Sequence, residues 1–273
     1  MTRPGTDGAD ELGGRPPHTH EPHTSDPRTS DSRTSDSAGQ TFGGRTLDPT
    51  GFEADDGAAD EALAIARANP ADERAWMAAL ARSRFLVPVL AVPGETEEVA
   101  GRLVEKTSDM AMVTLTAPDG QRALPVFTGT AALQAWDATA RPIPVEATRA
   151  AQAAITESCD VIVVDVAGPD AFVLRPSMLY AVAQGRDWLP GHEDPFVAQS
   201  VGHALAGEEL VLDHDLVPGE PAGQGVLGIR LVLRPGLGAD EIQALATRVG
   251  ERLATDGEFR ARVDGVSFIL AGR

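Results

Sequence analysis

The run from Val161 to Val166 narrows the possible folds of this chain more than any other, because its apolar side chains occupy both faces of a strand. Such a strand is normally covered on both sides and lies in the middle of a sheet with helices packed against it. Helical patterns flank it over Val145–Ser158 and Ser177–Gln184. The sequence therefore predicts a central buried strand.

The segment before this strand alternates between helical and strand patterns. Asn69, followed by Pro70 and two acidic residues, is typical of an N-cap, and Trp76 and Leu80 share one face of the helix that would follow. Phe85–Val92 is apolar but contains Pro88, which favours an edge strand. Pro118-Asp119-Gly120 separates Met110–Ala117 from Gln121–Phe127, which predicts a β-hairpin.

The C-terminal part predicts a helix over Phe196–Ala206 and then a ββαβ unit, with strands at 208–216, 226–234 and 263–271. Its long helix, Ala239–Thr255, carries a buried stripe of Ile242, Leu245, Val249 and Leu253. In the middle strand, Ile229, Leu231 and Leu233 alternate with arginines, which indicates one solvated face.

These patterns predict an α+β protein with two small sheet-and-helix domains, at residues 57–187 and 192–273. Residues 1–56 are poor in aliphatic side chains and repeat Thr-Ser-Asp from Thr24, Thr29 and Thr34. They cannot bury enough apolar surface to offset the entropy of ordering, so a disordered N-terminal tail is expected.

Charge and cysteine content limit the compartment and the partners. The net charge of −18 is spread along the chain and repels nucleic acid and anionic membranes, so neither is expected as a partner. Cys159 is the single cysteine and excludes an internal disulfide. No secretory signal and no apolar run of about 18 residues is visible. A cytoplasmic, acidic protein is expected.

The central block resembles the N-terminal domain of the SseB family (enhanced serine sensitivity), in its actinobacterial form. The likeness is carried by Leu124-Pro125-Val126-Phe127-Thr128, Leu133 and Trp136, Arg141-Pro-Ile-Pro-Val145, and Ala167-Gly-Pro169 with Phe172-Val-Leu174. It covers roughly residues 58–184, and the closing ββαβ unit resembles the C-terminal domain of the family more weakly. The resemblance implies a fold and brings no catalytic residue.

Most of these motif residues have structural interpretations. Pro125 favours an edge position, Thr128 can cap the helix that begins near Gly129, and Gly168 is expected to provide positive φ in a turn. Asp165, at the end of the buried strand, is predicted to cap the Ala-Gly-Pro turn through backbone N–H groups. The alternative is a ligand site at Asp165 and Gly168, since ligands bind at such strand ends.

Other chemistry is only weakly indicated. Gly223, Gly225 and Gly228 match a dinucleotide fingerprint, but a strand follows them where a helix is required. His192, His203 and His214 fall on a loop, a helix and a strand, so no metal site is predicted. Cys159 lies next to Asp160, which disfavours a reactive thiolate. No cofactor and no catalytic residue is predicted.

The sequence therefore favours a non-enzymatic interaction or regulatory protein with an unidentified protein partner. That partner is expected to pair with the edge strand Phe85–Val92 or to occupy a groove between the domains. A small-molecule sensor, for an amino acid among other ligands, is the alternative, with the ligand near Asp165 and Gly168. An enzyme that uses Asp165 or His203 is the third.

Overall fold

The computed structural model of the protein describes residues 51–69, 72–93, 96–99, 102–105 and 108–271. The fold is α+β, as predicted, with several small sheets. The described helices are α1 (Glu61–Arg67), α2 (Glu73–Leu80), α3 (Thr130–Trp136), α4 (Ala147–Thr156), α5 (Pro176–Ala183), α6 (Pro195–Leu205), α7 (Ala239–Thr255) and α8 (Gly257–Arg260). The described strands are β1 (Arg84–Pro93), β2 (Thr96–Val99), β3 (Arg102–Glu105), β4 (Ser108–Met112), β5 (Leu115–Thr116), β6 (Arg122–Val126), β7 (Arg141–Glu146), β8 (Val161–Val164), β9 (Phe172–Leu174), β10 (Val211–Pro218), β11 (Val226–Leu233) and β12 (Gly265–Leu270).

Strand β1 lies in the middle of the sheet β4-β1-β7, so the prediction of an edge strand over Phe85–Val92 is wrong. Pro88 lies opposite Pro142 of β7 in this antiparallel pair. Two prolines face each other at one rung, where neither can donate a hydrogen bond. A proline in a central strand is therefore tolerated here, and a partner chain could pair along the whole of Phe85–Val92 only by displacing β4 or β7.

The second sheet has the order β5-β6-β8-β9 and confirms the central position of β8. Strands β5 and β6 form the predicted hairpin, and Gly120 in its turn has φ +90°. Pro125 lies in β6, which is not an edge strand, so that expectation is wrong. On the β5 side, however, β6 is paired only at Arg122 and Ala123. Pro125 therefore has no β5 residue opposite it. Leu86 of β1 and Phe127 exchange backbone hydrogen bonds, which joins the two sheets.

Helices α1, α2, α4 and α5 cover these sheets and enclose the larger core. Trp76 of α2 is 2% exposed and its ring lies 3.8 Å from that of Phe172, centroid to centroid. Helix α2 begins at Glu73 with Asp72 as its N-cap, so the predicted cap at Asn69 is wrong. Pro70 lies outside the described residues. Phe127 is fully buried in a separate small core, where its ring packs against that of the half-buried Trp136.

The third sheet, β10-β11-β12, confirms the ββαβ unit. Strands β11 and β12 are parallel and α7 connects them, while β10 pairs antiparallel with β11. Leu245, Val249 and Leu253 of α7 are buried, as predicted, in a core shared with α6 and β11, whereas Ile242 of the predicted stripe is only half-buried. The short helix α8 was not predicted; Asp256 caps it by accepting from the N–H groups of Glu258 and Phe259.

Most of the predicted tail lies outside the described residues. Its last residues are described, and Asp55 accepts hydrogen bonds from the guanidinium of Arg84, which holds the pKa of Asp55 below its ordinary value. Contacts with the folded part therefore begin before residue 57. The larger core holds residues up to Trp188 and the smaller one begins at Val197. The division of residues 57–187 from 192–273 stays a prediction.

Candidate functional site

Asp165 lies just after β8, in the left-handed region at φ +52°, and is 4% exposed. Its Oδ1 accepts from the backbone N–H of Thr128 at 2.9 Å. Its Oδ2 accepts from the Thr128 hydroxyl at 2.8 Å and from Arg67 Nη1 at 2.5 Å. The carboxylate therefore ties helix α1 and the end of β6 to the end of β8.

The predicted role of this carboxylate as a turn cap is wrong. The Ala-Gly-Pro turn is closed by the backbone oxygen of Asp165, which accepts from the Gly168 N–H at 2.8 Å. Asp165, rather than Gly168, is the residue with positive φ in this turn. A Cβ at Gly168 would lie 3.2 Å from that backbone oxygen, so glycine is favoured there by the close approach. Nor does Thr128 cap α3, whose N-cap is Gly129.

A groove of about 200 Å³ lies beside this cluster. Ala59, Leu63, Arg67, Thr128 and Asp170 contribute to its lining, whereas Asp165 does not. A ligand in the groove would meet the guanidinium of Arg67 before it met the carboxylate of Asp165. The ligand site predicted at Asp165 and Gly168 stays a prediction.

A second polar cluster, formed by Glu73, Arg175, Ser177, Trp188 and Asp264, connects the two cores and is called the junction cluster below. Arg175 binds Glu73 through both terminal nitrogens, at 2.7 and 3.0 Å, and donates from Nε to Asp264 Oδ2 at 3.1 Å. Asp264 accepts from the Ser177 N–H at 2.7 Å and hydroxyl at 2.8 Å. Trp188 Nε1 donates to the same hydroxyl at 3.2 Å.

The junction cluster is mostly buried, and its charges compensate one another. The side chains of Arg175 and Asp264 are 12% and 7% exposed. Burial opposes the charged form of Arg175, but the bonds and charges of Glu73 and Asp264 exceed that effect and raise its pKa. Asp264 and Asp165 have the same pattern of hydrogen bonds. Each carboxylate accepts from the backbone N–H and the hydroxyl of one residue and from the guanidinium of an arginine.

Gly225 explains the glycine motif that resembled a dinucleotide fingerprint. It has φ +70°, and a Cβ there would lie 2.1 Å from Asp264 Oδ2 and 2.8 Å from Arg175 Nε. The strand β11 begins at the next residue, as the sequence indicated. Glycine at this position therefore makes room for an ion pair of the protein itself.

Sequence reasoning missed the junction cluster because its members are far apart in the chain. Arg175 and Glu73 are separated by 102 positions, and Ser177 and Asp264 by 87. A weak signal was present, since Arg175 directly precedes the buried helix α5 and Asp264 directly precedes β12. Charges beside buried elements often have partners, but nothing in the sequence identified these.

The structure does not bring together the three histidines that the sequence analysis considered as metal ligands. His203 and His214 are exposed and His192 is half-buried, and His192 lies 3.6 Å from Glu193. Within the described parts of the chain, no group of three or more His, Cys, Asp or Glu side chains could hold a metal ion.

Cys159 is a free, buried thiol beside β8, and burial raises its pKa. We expect a thiol reagent such as DTNB to label the native protein at least about 100-fold more slowly than the protein in 6 M guanidinium chloride, because the reactive thiolate is disfavoured and shielded. Absorbance of the released thiolate measures both rates. Equal rates in the two states would contradict the burial of this side chain.

Strand β12 leaves one edge unpaired within the described residues. Its register with β11 places Val266, Phe268 and Leu270 on the face that α7 covers. Their partners on β11 are at most 1% exposed: Leu227, Ile229 and Leu231. Val266 and Leu270, however, are 39% and 50% exposed. The core-facing side of β12 is therefore only partly covered.

A groove of about 370 Å³ adjoins this edge. Its apolar lining comes from α7, α8, β12 and the segment between α8 and β12, and it includes Leu253, Phe259, Val263 and Phe268. Arg260 is the charged residue in its lining and makes no ion pair among the residues that the structure describes. The edge and groove together form an apolar surface with one cation beside it.

Comparison with known proteins bears on the first half of the folded region. Residues 60–181 match the family model described as SseB protein N-terminal domain, which confirms the predicted resemblance over that range. No curated protein and no solved structure matches the chain. None of the described helices combines the length and apolarity needed to cross a membrane.

Proposed function

We propose that this chain, which contains a segment similar to the SseB N-terminal domain, is a non-enzymatic interaction or regulatory protein of the cytoplasm. In this proposal the C-terminal unit is a counterpart of the other domain of that family, and it binds an extended segment of a partner protein along the outer edge of β12. The observation that carries the proposal is the partly uncovered apolar side of that strand.

The two edges of the third sheet differ in a way that supports this role. The β10 edge carries the exposed charged or polar side chains of Asp213, His214 and Asp215, which discourage strand pairing. The β12 edge reads Gly-Val-Ser-Phe-Ile-Leu and contains no charge. One edge is protected against an added strand, and the other is suited to accept one.

The geometry of β12 also indicates the chemistry of its partner. An added strand would continue the sheet, and its alternate side chains would lie beside Val266, Phe268 and Leu270 under α7. Those side chains must be apolar to fill the adjoining groove. Arg260, whose guanidinium has no ion pair with the described residues, favours an acidic residue at one end of the segment. Residues 1–50 of the chain itself lack such an alternation of apolar residues, so the segment is proposed to come from another protein.

Two observations support the non-enzymatic and cytoplasmic parts of the proposal. The buried carboxylates of Asp165 and Asp264 each accept three hydrogen bonds from the protein itself, which leaves little capacity for acid–base work. The free thiol of Cys159 agrees with a reducing compartment.

The test compares Leu270→Asp with Leu212→Asp. Both leucines are about half exposed, at 50% and 47%, and they lie at opposite edges of one sheet, so thermal unfolding should show both variants folded. A protein captured on the full chain is purified and its affinity measured by calorimetry. Leu270→Asp should weaken binding at least about tenfold, because it places a carboxylate against the groove. Leu212→Asp should change it less than about twofold.

Hydrogen exchange on the purified complex gives the second measurement. The amides of β12 that point away from β11 should exchange at least about tenfold more slowly in the complex than in the free chain, because an added strand accepts from them. Unchanged exchange in β12, or equal binding by both variants, would overturn the proposal. Self-association of the free chain that Leu270→Asp abolishes would replace the partner protein by a second copy.

A further inference from the structure

Three arginines line a groove of about 360 Å³ between helix α2 and the segment that follows α5. They are Arg74, Arg82 and Arg186, and the groove that they line is called the arginine groove below. Its apolar walls come from residues that include Met77, Val182, Trp188 and Leu189. The volume lies within the range of about 300–1,000 Å³ that is typical of small-molecule sites.

The positive charge of this groove is poorly compensated, although the chain carries a net charge of −18. Among the described residues, Arg82 and Arg186 form no ion pair. Arg74 approaches Glu193 at 3.8 Å, and both side chains are largely solvated, so that pair is weak. Asp187 also lines the groove and pairs with none of the three.

Arg186 provides a second, independent observation. Its Nη2 is buried and has no hydrogen-bond partner among the described residues. Its other two nitrogens make long bonds of 3.3 Å to Gln184 Oε1 and to the backbone oxygen of Asp187. Burial lowers the pKa of Arg186 and the nearby charge of Arg262 lowers it further, whereas the carboxylates of Asp194 and Glu258 oppose this shift only in part. A half-buried guanidinium with few acceptors is stabilised by a bound anion.

We propose that the arginine groove binds a small organic anion, with a carboxylate or phosphate group held by the arginines and an apolar body against Trp188 and Leu189. Guanidinium groups match both oxyanions with paired hydrogen bonds, while the apolar walls favour a ligand that is more than an inorganic ion. This site is separate from the ligand site predicted at Asp165 and Gly168. It is also independent of the β12 edge, so either proposal can fail alone.

The test measures binding to the full chain by calorimetry with three probes: N-acetyl-leucine, phenyl phosphate and the neutral N-acetylleucinamide. Each anion has an apolar body, the isobutyl group of leucine or the phenyl ring, and one carries a carboxylate while the other carries a phosphate, so the pair tests both kinds of charged group. At least one anion should bind at least about tenfold more tightly than the amide, because the neutral amide can accept hydrogen bonds from arginine but cannot form an ion pair with it. Binding should also weaken as ionic strength rises.

Arg82→Gln and Arg149→Gln are the matched variants. Both arginines are exposed, and Arg149 lies on α4 and does not line the groove. Arg82→Gln should weaken anion binding about tenfold, and Arg149→Gln should leave it within about twofold. The proposal is overturned by equal binding of the amide, by an Arg82→Gln variant with unchanged affinity, or by the absence of binding at millimolar concentrations of both anions.

Discussion

Replacement of Asp264 by alanine is expected to lower the free energy of unfolding by about 3–5 kcal/mol. The substitution removes the carboxylate but leaves Arg175 buried, with Glu73 as its remaining ionic partner. It also leaves the N–H and the hydroxyl of Ser177 without their acceptor. A buried cation that loses one of its two ionic partners and two donors that lose their acceptor each cost free energy, so the effects act together. Urea unfolding followed by circular dichroism measures the change.

Asp215→Ala is the matched control for Asp264→Ala. Asp215 also pairs with an arginine, Arg230, at 3.2 Å, but the two side chains are 65% and 45% exposed. Solvent screens that pair, and its loss should cost less than about 1 kcal/mol. Similar losses for the two variants would show that the junction cluster contributes no more than a surface ion pair, and would contradict the account given above.

The second large effect is expected for Asp165→Ala, which should also cost about 3–5 kcal/mol. It removes the acceptor of Arg67 and of both donors of Thr128. It further places alanine at φ +52°, which asparagine tolerates better. Asp165→Asn should therefore lose less, about 1–3 kcal/mol, because it keeps the backbone conformation and one acceptor. Thermal and urea unfolding of both variants tests this order.

Asp170→Ala and Arg67→Met complete the experiment on Asp165. Asp170 is exposed, and Arg67 donates to the backbone oxygen of Asp170 and not to its carboxylate. Asp170→Ala should therefore be close to neutral for stability. The losses caused by Asp165→Ala and Arg67→Met should not add, because the two side chains form one ion pair. If Asp165→Ala were neutral to stability, the carboxylate would be available for the ligand role that the sequence left open.

Much of the local structure could be predicted because each pattern had one physical interpretation. The stripe of Leu245, Val249 and Leu253 required a helix with one buried face, and α7 has it. Val161–Val164 required cover on both faces, and β8 is central. Asp119-Gly120 required a tight turn, and Gly120 has positive φ.

The position of β1 could not be predicted, because it depends on two strands from distant parts of the chain. Strand β7 pairs with residues 84–89 of β1, and β4 pairs with residues 89–93. A proline normally argues against a central strand, but here Pro142 lies opposite Pro88. No feature near Pro88 in the sequence identifies that partner.

The candidate sites were predicted only in part for the same reason. Asp165 was identified from its place at the end of a buried strand, but its partners lie 37 and 98 positions away. The sequence therefore suggested a local turn cap, whereas in the fold the carboxylate binds Thr128 and Arg67, which are distant in the chain. The arginine groove and the β12 edge depend on which faces the tertiary structure leaves uncovered, and no sequence period encodes that.

The close approach at Gly225 has a consequence for inheritance. Any side chain at that position would collide with Asp264 and Arg175, so glycine is required for as long as the ion pair is kept. In a lineage that lost the arginine or the aspartate, the collision would be relieved, but the φ of +70° would still favour glycine. Gly225 is therefore expected to outlast the ion pair during evolution, whereas the arginine and the aspartate are expected to be lost together.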